Sequence, residues 1–156
     1  MRSLALGLVL MSANMPVLAA DEDTHPLDVR DLVAMDRVGN PQLGTDPRWL
    51  LFDVRSIDIA ANKGTPGVWV LDRATPGAAP QRIAEGSQPR WSADGKAIFY
   101  LAKAGERMQI FRIAPAGGAA LQVSDLPLDV EGFRVSPDGA HLAVALSVFT
   151  DCGDIA

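Results

Sequence analysis

The chain has 156 residues, a formal net charge of −5 at pH 7, and 48% hydrophobic against 21% charged residues. This composition is typical of a globular protein of about one domain and not of a disordered segment. Lysine and arginine form no cluster that could neutralise a run of phosphates, which argues against nucleic acid as a partner.

The first twenty residues predict a secretory signal peptide. Arg2 supplies a positive start, residues 4–11 form an apolar stretch, and residues 16–20 are a small-residue cleavage region. The apolar stretch is too short to span a bilayer, and acidic residues 21–23 follow it at once, which disfavours a buried helix or a membrane anchor. We expect a periplasmic or secreted protein with no stable membrane anchor after cleavage.

Residues 27–38 predict a short docking helix. Asp28 suits the N-cap, Asp31 stands three residues later, and Gly39 could end the helix. Apolar residues recur near helical spacing at Val29, Leu32, Val33 and Met35. The sequence therefore predicts a helical segment over residues 21–40, between the signal peptide and the rest of the chain.

One phrase occurs three times, at residues 41–47, 89–95 and 133–139, and an apolar run follows each copy. Asp94 lies 48 residues after Asp46, and Asp138 lies 44 residues after Asp94. A period of about 40 to 50 residues is typical of propeller blades and related repeat arrays.

The repeated phrase has the composition of a tight turn. In residues 136–139, Ser-Pro-Asp-Gly fits a type I turn followed by glycine at positive φ, a common hairpin loop. Residues 92–95 keep this pattern without the proline. Pro47 stands where the other copies have glycine, and proline cannot adopt positive φ, so the first copy must turn differently.

The apolar runs after the turns share one phase. Leu50, Ile98 and Leu142 correspond, and the same offsets align Phe52, Tyr100 and Val144, and then Val54, Ala102 and Leu146. This period of two predicts one apolar strand face, with Asp53, Arg55 and Lys103 on the opposite face.

Further strands are predicted at 68–71 and 110–113, and shorter ones at 82–84 and 122–124. Four strands per period is the anatomy of a propeller blade. The fold class is therefore all-β: an incomplete β-propeller of about two and a half four-stranded blades over residues 41–156, truncated in the third blade.

Residues suited to catalysis or metal binding are few. None of the eight serines has glycine two positions before and after it, so none fits a nucleophile elbow. His25 and His141 are expected to be surface residues without a carboxylate partner. Cys152 is the only cysteine; its alternatives are a partner elsewhere or a small buried side chain. One cysteine and two histidines are too few for a structural zinc site. No catalytic, cofactor or metal residue is predicted.

The repeated aspartates and the tryptophans have structural interpretations as well. One aspartate per blade does not gather the six to eight oxygens of a calcium site, so Asp46, Asp94 and Asp138 are predicted to form turns. The three tryptophans could form an aromatic surface that binds peptides. Trp69 and Trp91 are instead expected in the blade core, and Trp49 alone is a candidate for exposure.

The phrases Arg-Trp-Ser-Ala-Asp-Gly-Lys at 90–96 and Arg-Val-Ser-Pro-Asp-Gly at 134–139 resemble the blades of TolB-like propellers. Such blades also build the N-terminal domain of prolyl-oligopeptidase-family serine peptidases. Residues 31–42, 61–63 and 148–152 resemble the corresponding parts of bacterial dipeptidyl and acylaminoacyl peptidases. The resemblance covers residues 28–156 and favours the peptidases over TolB.

The resemblance implies an exported serine exopeptidase acting on short peptides, with a C-terminal α/β-hydrolase domain absent from this chain and no cofactor. The propeller would gate access to that domain, and this chain would be inactive alone. The alternatives are a non-enzymatic TolB-like periplasmic propeller that binds other proteins, and a functionless product of a truncated reading frame.

The signal-peptide prediction can be checked directly. Cleavage after Ala19 places small residues, Val17 and Ala19, at the −3 and −1 positions, so the exported protein should begin at Ala20 or, as the second choice, at Asp21. N-terminal sequencing of exported material measures this. Retention of Met1 or Arg2 would contradict the predicted export.

Overall fold

The computed structural model describes residues 26–148. The predicted signal peptide, His25 and Cys152 lie outside the described residues. The elements are the helix α1 (Val29–Ala34) and the strands β1 (Arg37–Leu43), β2 (Trp49–Asp58), β3 (Lys63–Asp72), β4 (Gln81–Glu85), β5 (Ser87–Trp91), β6 (Ile98–Ala104), β7 (Arg107–Ile113), β8 (Leu121–Gln122), β9 (Val130–Val135) and β10 (Leu142–Leu146). Among residues 26–148, no helix has the length and apolar character needed to cross a membrane.

The strands form three antiparallel sheets in which each strand pairs with the next along the chain. We call β1-β2-β3-β4 the first blade, β5-β6-β7-β8 the second blade and β9-β10 the third sheet. Two four-stranded sheets followed by a two-stranded one agree with the repeat found in the sequence. Strand β1 contacts β5, and β5 contacts β9, so the first strands of the three sheets adjoin one another. This is the arrangement of innermost strands around a propeller axis.

The helix is shorter than expected. Its predicted cap is confirmed: the Asp28 carboxylate accepts hydrogen bonds from the Arg30 and Asp31 amides, and the Asp31 carboxylate accepts one from the Asp28 amide. The helix ends at Ala34, however, and β1 begins at Arg37, so the expected helix over 27–38 is wrong at its C-terminal end.

The physical reason is pairing with β2. Arg37, Val38 and Gly39 lie opposite Arg55, Val54 and Asp53, and these ladder hydrogen bonds override a helical pattern that covers few residues. The first sheet therefore begins before the expected boundary between residues 40 and 41. The apolar helix residues contact little, since Val29 is 74% exposed and Leu32 51% exposed.

Two of the three repeat turns have the same backbone. The Gly95 amide donates to the Ser92 carbonyl and the Gly139 amide to the Ser136 carbonyl, both at 2.9 Å. Gly95 and Gly139 have φ values of 68° and 72°, as the turn sequence predicts. Close packing also requires the first of these glycines, because a Cβ at Gly95 would lie 2.0 Å from Oγ1 of Thr45 in the preceding turn.

The core has two layers, one on each side of the second blade. The first lies between the first and second blades and contains Leu51, Val68, Val70, Ile98, Tyr100 and Ile113. The second lies between the second blade and the third sheet and contains Leu101, Ile110, Val130 and Phe133. The second blade is therefore buried on both faces.

This double burial corrects the expectation of a single apolar face. Ile98 and Tyr100 of the predicted face are buried, as expected, but Leu51 and Leu101 on the opposite face are 0% and 2% exposed. Sheets stacked in series are covered on both sides, so apolar residues occur on both faces wherever a neighbouring sheet lies against them. Asp53 lies two residues after Leu51 on β2, so its side chain is on the same face of the sheet, where it is half-buried.

Replacing Leu51 should measure the strength of the first layer. Leu51→Ala is expected to lower the free energy of unfolding by about 2–5 kcal/mol, because it removes buried methyl groups and leaves a cavity. Urea denaturation measures the change. Leu121→Ala is the control: Leu121 is 64% exposed, and the expected loss is below about 0.5 kcal/mol. Equal losses in the two variants would contradict the assigned core.

Candidate functional site

The aspartates of the second and third repeat turns bind their own turns. The Asp94 carboxylate accepts hydrogen bonds from the Ser92 hydroxyl at 2.6 Å and the Lys96 amide at 3.1 Å. The Asp138 carboxylate accepts the equivalent bonds from the Ser136 hydroxyl and the Ala140 amide. The serine hydroxyl lowers the pKa of each carboxyl most, and the backbone amide lowers it further. Both aspartates are therefore structural, as predicted.

Asp46 keeps this role in a different turn. Its carboxylate accepts a hydrogen bond from the Arg48 amide at 2.9 Å, two residues on, as in the other copies. The turn itself is closed by the Gly44 amide donating to the Trp49 carbonyl at 3.0 Å and the Trp49 amide donating to the Asp46 carbonyl at 3.2 Å. The expectation that Pro47 forces a different turn is confirmed.

Ser136, Asp138 and His141 lie together without forming a catalytic triad. His141 Nδ1 is 3.9 Å from Asp138 Oδ2, so the expectation that His141 lacks a nearby carboxylate is wrong: the turn brings residues 138 and 141 together. The Ser136 hydroxyl, however, donates to Asp138 and accepts the His141 backbone amide at 2.9 Å. Because the hydroxyl is not bonded to the imidazole, histidine cannot act as its base. The His141 side chain is 81% exposed, as expected for a surface residue.

The tryptophans differ in part from their expected places. Trp91 packs on the first core layer as predicted, and its indole Nε1 is buried with no hydrogen-bond partner in residues 26–148. Trp49 also packs on this layer instead of being exposed, and the Arg48 guanidinium lies 4.9 Å from its ring centroid. Trp69 is half-buried beside Val54 and belongs to neither core layer.

Polar side chains gather where the first strands of the sheets adjoin. The Asp53 carboxylate accepts hydrogen bonds from the Asn40 side-chain amide at 2.8 Å and the Gln88 backbone amide at 3.2 Å. The Gln88 side-chain amide in turn donates to the Glu131 carbonyl at 2.9 Å. Gln88 therefore links the second blade both to the first blade and to the third sheet.

A bulge in each first strand sets this geometry. Asn40 and Gln88 have φ values of 49° and 51°, unusual for non-glycine residues, and the β1-β2 and β5-β6 registers shift at these positions. The third sheet also has a register shift, but it falls at Glu131; Gly132, the residue at the corresponding place, pairs with Ala145. A bulge re-aims the side chains that follow it.

Two arginines follow the bulges of β5 and β9. Arg90 Nη1 donates to the Pro89 carbonyl at 2.8 Å, and Arg134 Nη1 donates to the Phe133 carbonyl at 2.9 Å. Burial lowers the pKa of Arg90 most, and the positive charge of Arg134 lowers it further. We call Asn40, Asp53, Gln88, Arg90 and Arg134 the axial cluster; it is the candidate functional site.

Sequence reasoning missed the axial cluster, although a signal for it exists. The offsets of 48 and 44 residues that align the turns also align Asn40, Gln88 and Gly132. They align Gln42 with Arg90 and Arg134 in the same way. A polar residue that recurs shortly before each repeat turn could have indicated that these side chains lie near a common propeller axis.

A group of three or more histidine, cysteine or acidic side chains able to hold a metal ion does not occur within residues 26–148. The axial cluster itself presents two side-chain amides, one carboxylate and two guanidinium groups. Such groups bind and orient polar or anionic ligands.

The fold is that of a partial β-propeller, and the curated proteins that this chain resembles are peptidases. No family model matches the sequence. An uncharacterized peptidase, YuxL, from Bacillus subtilis is 26% identical over 121 residues, which cover 76% of this chain and 18% of that protein. Dipeptidyl-peptidase 5 from Porphyromonas endodontalis is 27% identical over 121 residues, covering 75% of this chain and 17% of that protein.

Solved structures carry the same fold. The acylaminoacyl peptidase of Pyrococcus horikoshii matches with a TM-score of 0.60 at 16% identity, over 72% of this chain and 17% of that one. The β-propeller domain of the Trilobed protease from Pyrococcus furiosus matches with a TM-score of 0.52 at 14% identity, over 70% of this chain and 33% of that one. The predicted incomplete propeller and the predicted resemblance to the N-terminal propeller part of peptidases are confirmed.

The bonded aspartates predict a stability that depends on pH. Their pKa values are lower in the folded than in the unfolded chain, so their contribution is complete above the unfolded value, near 4, and is lost as pH falls through the folded values. We expect urea midpoints to fall on acidification below about pH 4. The double variant Asp94→Asn and Asp138→Asn should show a shallower dependence.

Glu106→Gln is the matched control, because the Glu106 side chain takes part in none of the hydrogen bonds found in residues 26–148. Its acid dependence should follow that of the unaltered chain. A double aspartate variant that loses stability with acid as steeply as the unaltered chain would contradict the assigned role of the two turns.

Proposed function

We propose that this chain is the N-terminal propeller portion of an exported serine exopeptidase, of dipeptidyl or acylaminoacyl type, that acts on short peptides. The observation that carries the proposal is the match of 121 residues, three quarters of this chain, to two curated peptidases. The chain spans less than a fifth of the length of either relative. An α/β-hydrolase domain in the remainder of the full-length protein supplies the nucleophile.

The geometry supports a structural, non-catalytic role for the described residues. The Ser136 hydroxyl is committed to a turn aspartate, and His141 is exposed to solvent. Activation of a serine needs a base in hydrogen-bond reach of its hydroxyl, so this turn is not a nucleophile site. The propeller acts instead as a wall beside the catalytic domain.

Such a wall selects substrates by size. The sheets pack through two apolar layers and are tied at the axis by Gln88, so they do not separate to admit a folded protein. Short or extended peptides reach the catalytic domain, whereas large folded proteins do not. Export, supported by the pattern of residues 1–20, would give the enzyme access to peptides outside the cytoplasm.

The test compares the full-length protein with this chain. The full-length protein should hydrolyse dipeptidyl or acylaminoacyl chromogenic amides and short peptides, and should leave folded proteins intact. This chain alone should hydrolyse none of them, because it holds no activated nucleophile. Absorbance assays with the amides, and mass spectrometry with the peptides, measure both results.

Two variants of the full-length protein serve as controls. Ser136→Ala and His141→Ala should each retain the rate of the unaltered enzyme, since both residues belong to a turn and not to the catalytic machinery. Full-length protein that hydrolyses no peptide or amide would overturn the proposed function. A rate lost in His141→Ala alone would place catalysis in the propeller and contradict the division of roles.

A further inference from the structure

A glycine interrupts the face of the first blade that points away from the second blade, which we call the outer face. Val68 and Val70 of β3 lie in the core layer between the two blades, so Gly67 and Trp69, which alternate with them, are on the outer face. The backbone of Gly67 does not have a positive φ and does not itself require glycine. A glycine within a strand often marks a place where a ligand or another backbone approaches closely.

The missing side chain leaves a pit into which two donors project. A Cβ at Gly67 would lie 2.7 Å from Arg82 Nε and 2.9 Å from Trp69 Nε1, so both nitrogens lie close to one point. Each of these nitrogens carries an N–H donor. We call this cavity of about 100 Å³ the Gly67 pit; it is lined by Val54, Ser56, Thr65, Gly67, Trp69 and Arg82.

An irregularity in β4 brings Arg82 to the pit. Trp69 pairs with Arg82 and Val68 pairs with Ala84, so Ile83 is an extra residue in β4. Ile83 and Ala84 both pack against the first core layer. A bulge of this kind re-aims the next side chain, and it places Arg82 on the outer face beside Trp69.

The polar groups of the pit are largely unpartnered. Within residues 26–148, Trp69 Nε1 and Arg82 Nε donate no hydrogen bond, and the hydroxyls of Ser56 and Thr65 make none. The one hydrogen bond of the Arg82 side chain runs from Nη2 to the Pro66 carbonyl and is long, at 3.4 Å. The pit therefore holds donors that remain available to a ligand.

These groups favour an acceptor with one negative charge. Indole and guanidinium nitrogens donate and do not accept, and no carboxylate lines the pit, so it suits an anion and not a cation. The Glu85 carboxylate lies outside the pit, 3.6 Å from Arg82 Nη2, and would repel a second negative charge. The pit is also smaller than the cavity of about 150 Å³ that accepts benzene, which favours a small polar group over a ring.

We propose that the Gly67 pit binds a single carboxylate group on a short aliphatic stem. One carboxylate oxygen accepts the Trp69 indole N–H and the other accepts the Arg82 Nε–H, in charge-assisted hydrogen bonds. Two sources carry this group: a free small acid, and the side chain of an acidic residue in a peptide. The site is separate from the axial cluster and does not depend on the proposed peptidase activity.

NMR of the indole N–H groups tests binding in this chain. The chain has three tryptophans, and the resonance absent from Trp69→Phe identifies Trp69. The probes are acetate, inorganic phosphate, and the peptides N-acetyl-Ala-Glu-Ala-amide and N-acetyl-Ala-Gln-Ala-amide. The glutamate peptide should shift the Trp69 resonance saturably and bind about ten-fold or more tightly than the glutamine peptide, because only the carboxylate forms charge-assisted bonds.

Acetate separates the two sources of the carboxylate. Acetate that binds as tightly as the glutamate peptide would assign the pit to free small acids, and acetate that binds more weakly would assign it to acidic side chains. Either result supports the pit. Phosphate that binds as tightly as the better carboxylate, or the absence of a saturable shift with both carboxylates, would overturn it.

Variants locate the site. Gly67→Ala should abolish binding, because its methyl group fills the pit, and Arg82→Gln should weaken binding about ten-fold or more. Glu85→Gln should strengthen binding about two- to five-fold, since it removes a neighbouring negative charge. Arg107→Gln, which changes an exposed arginine at the start of β7, is the matched control and should bind as the unaltered chain does.

The same spectra report whether the variants fold. Trp49 and Trp91 pack on the first core layer, so their indole resonances should stay in place in Gly67→Ala and Arg82→Gln. Binding that persists in a folded Gly67→Ala would overturn the pit. If Gly67→Ala does not fold, Arg82→Gln decides: an affinity equal to that of the unaltered chain would overturn the pit as well.

Discussion

Burial of apolar side chains between neighbouring sheets is the interaction on which the rest of the structure depends. Leu51 of the first blade and Ile98 of the second are both fully buried in the same layer, and Phe133 of the third sheet closes the other layer. Each layer removes large aliphatic and aromatic groups from water, the dominant favourable term in folding. A single sheet of this kind could not bury its own faces, so each one is held by its neighbours.

The stacking also explains where buried polar groups are tolerated. Gln109 is 1% exposed, yet its side-chain amide donates to the Leu126 and Leu128 carbonyls and its oxygen accepts from Ser124 and the Leu126 amide. Every polar atom of the side chain is therefore satisfied, which offsets the desolvation cost. Gln109 thus helps to hold the loop between the second blade and the third sheet, together with Ser124 and Asp129, whose side chains accept hydrogen bonds from the Ile110 and Met108 amides.

Local sequence signals predicted the turns well because each turn is decided by adjacent residues. Ser136, Asp138 and Gly139 form the expected bonds with each other and with the residues that follow, whatever the rest of the chain does. The helix cap at Asp28 was predictable for the same reason. The strand count followed from the repeat.

Features that depend on distant neighbours were not predictable in this way. Strand β1 exists because β2 lies beside it, and Leu51 is buried because the second blade covers it. The axial cluster joins Asn40 with Gln88 and Arg90, which are about fifty residues away in sequence and adjacent only after the sheets stack. Residue types alone do not reveal the bulges that orient these side chains. The polar positions become visible only when the innermost strands are aligned with the same offsets as the turns.

The meander order of the strands has a consequence for folding kinetics. Within every sheet each strand pairs with the strand just before or just after it in the chain, so the loops to be closed are short. Low contact order of this kind favours rapid formation of each hairpin. The first blade can form all of its ladder hydrogen bonds before the second has left the ribosome, and Leu51 then presents an apolar surface on which Ile98 and its neighbours pack.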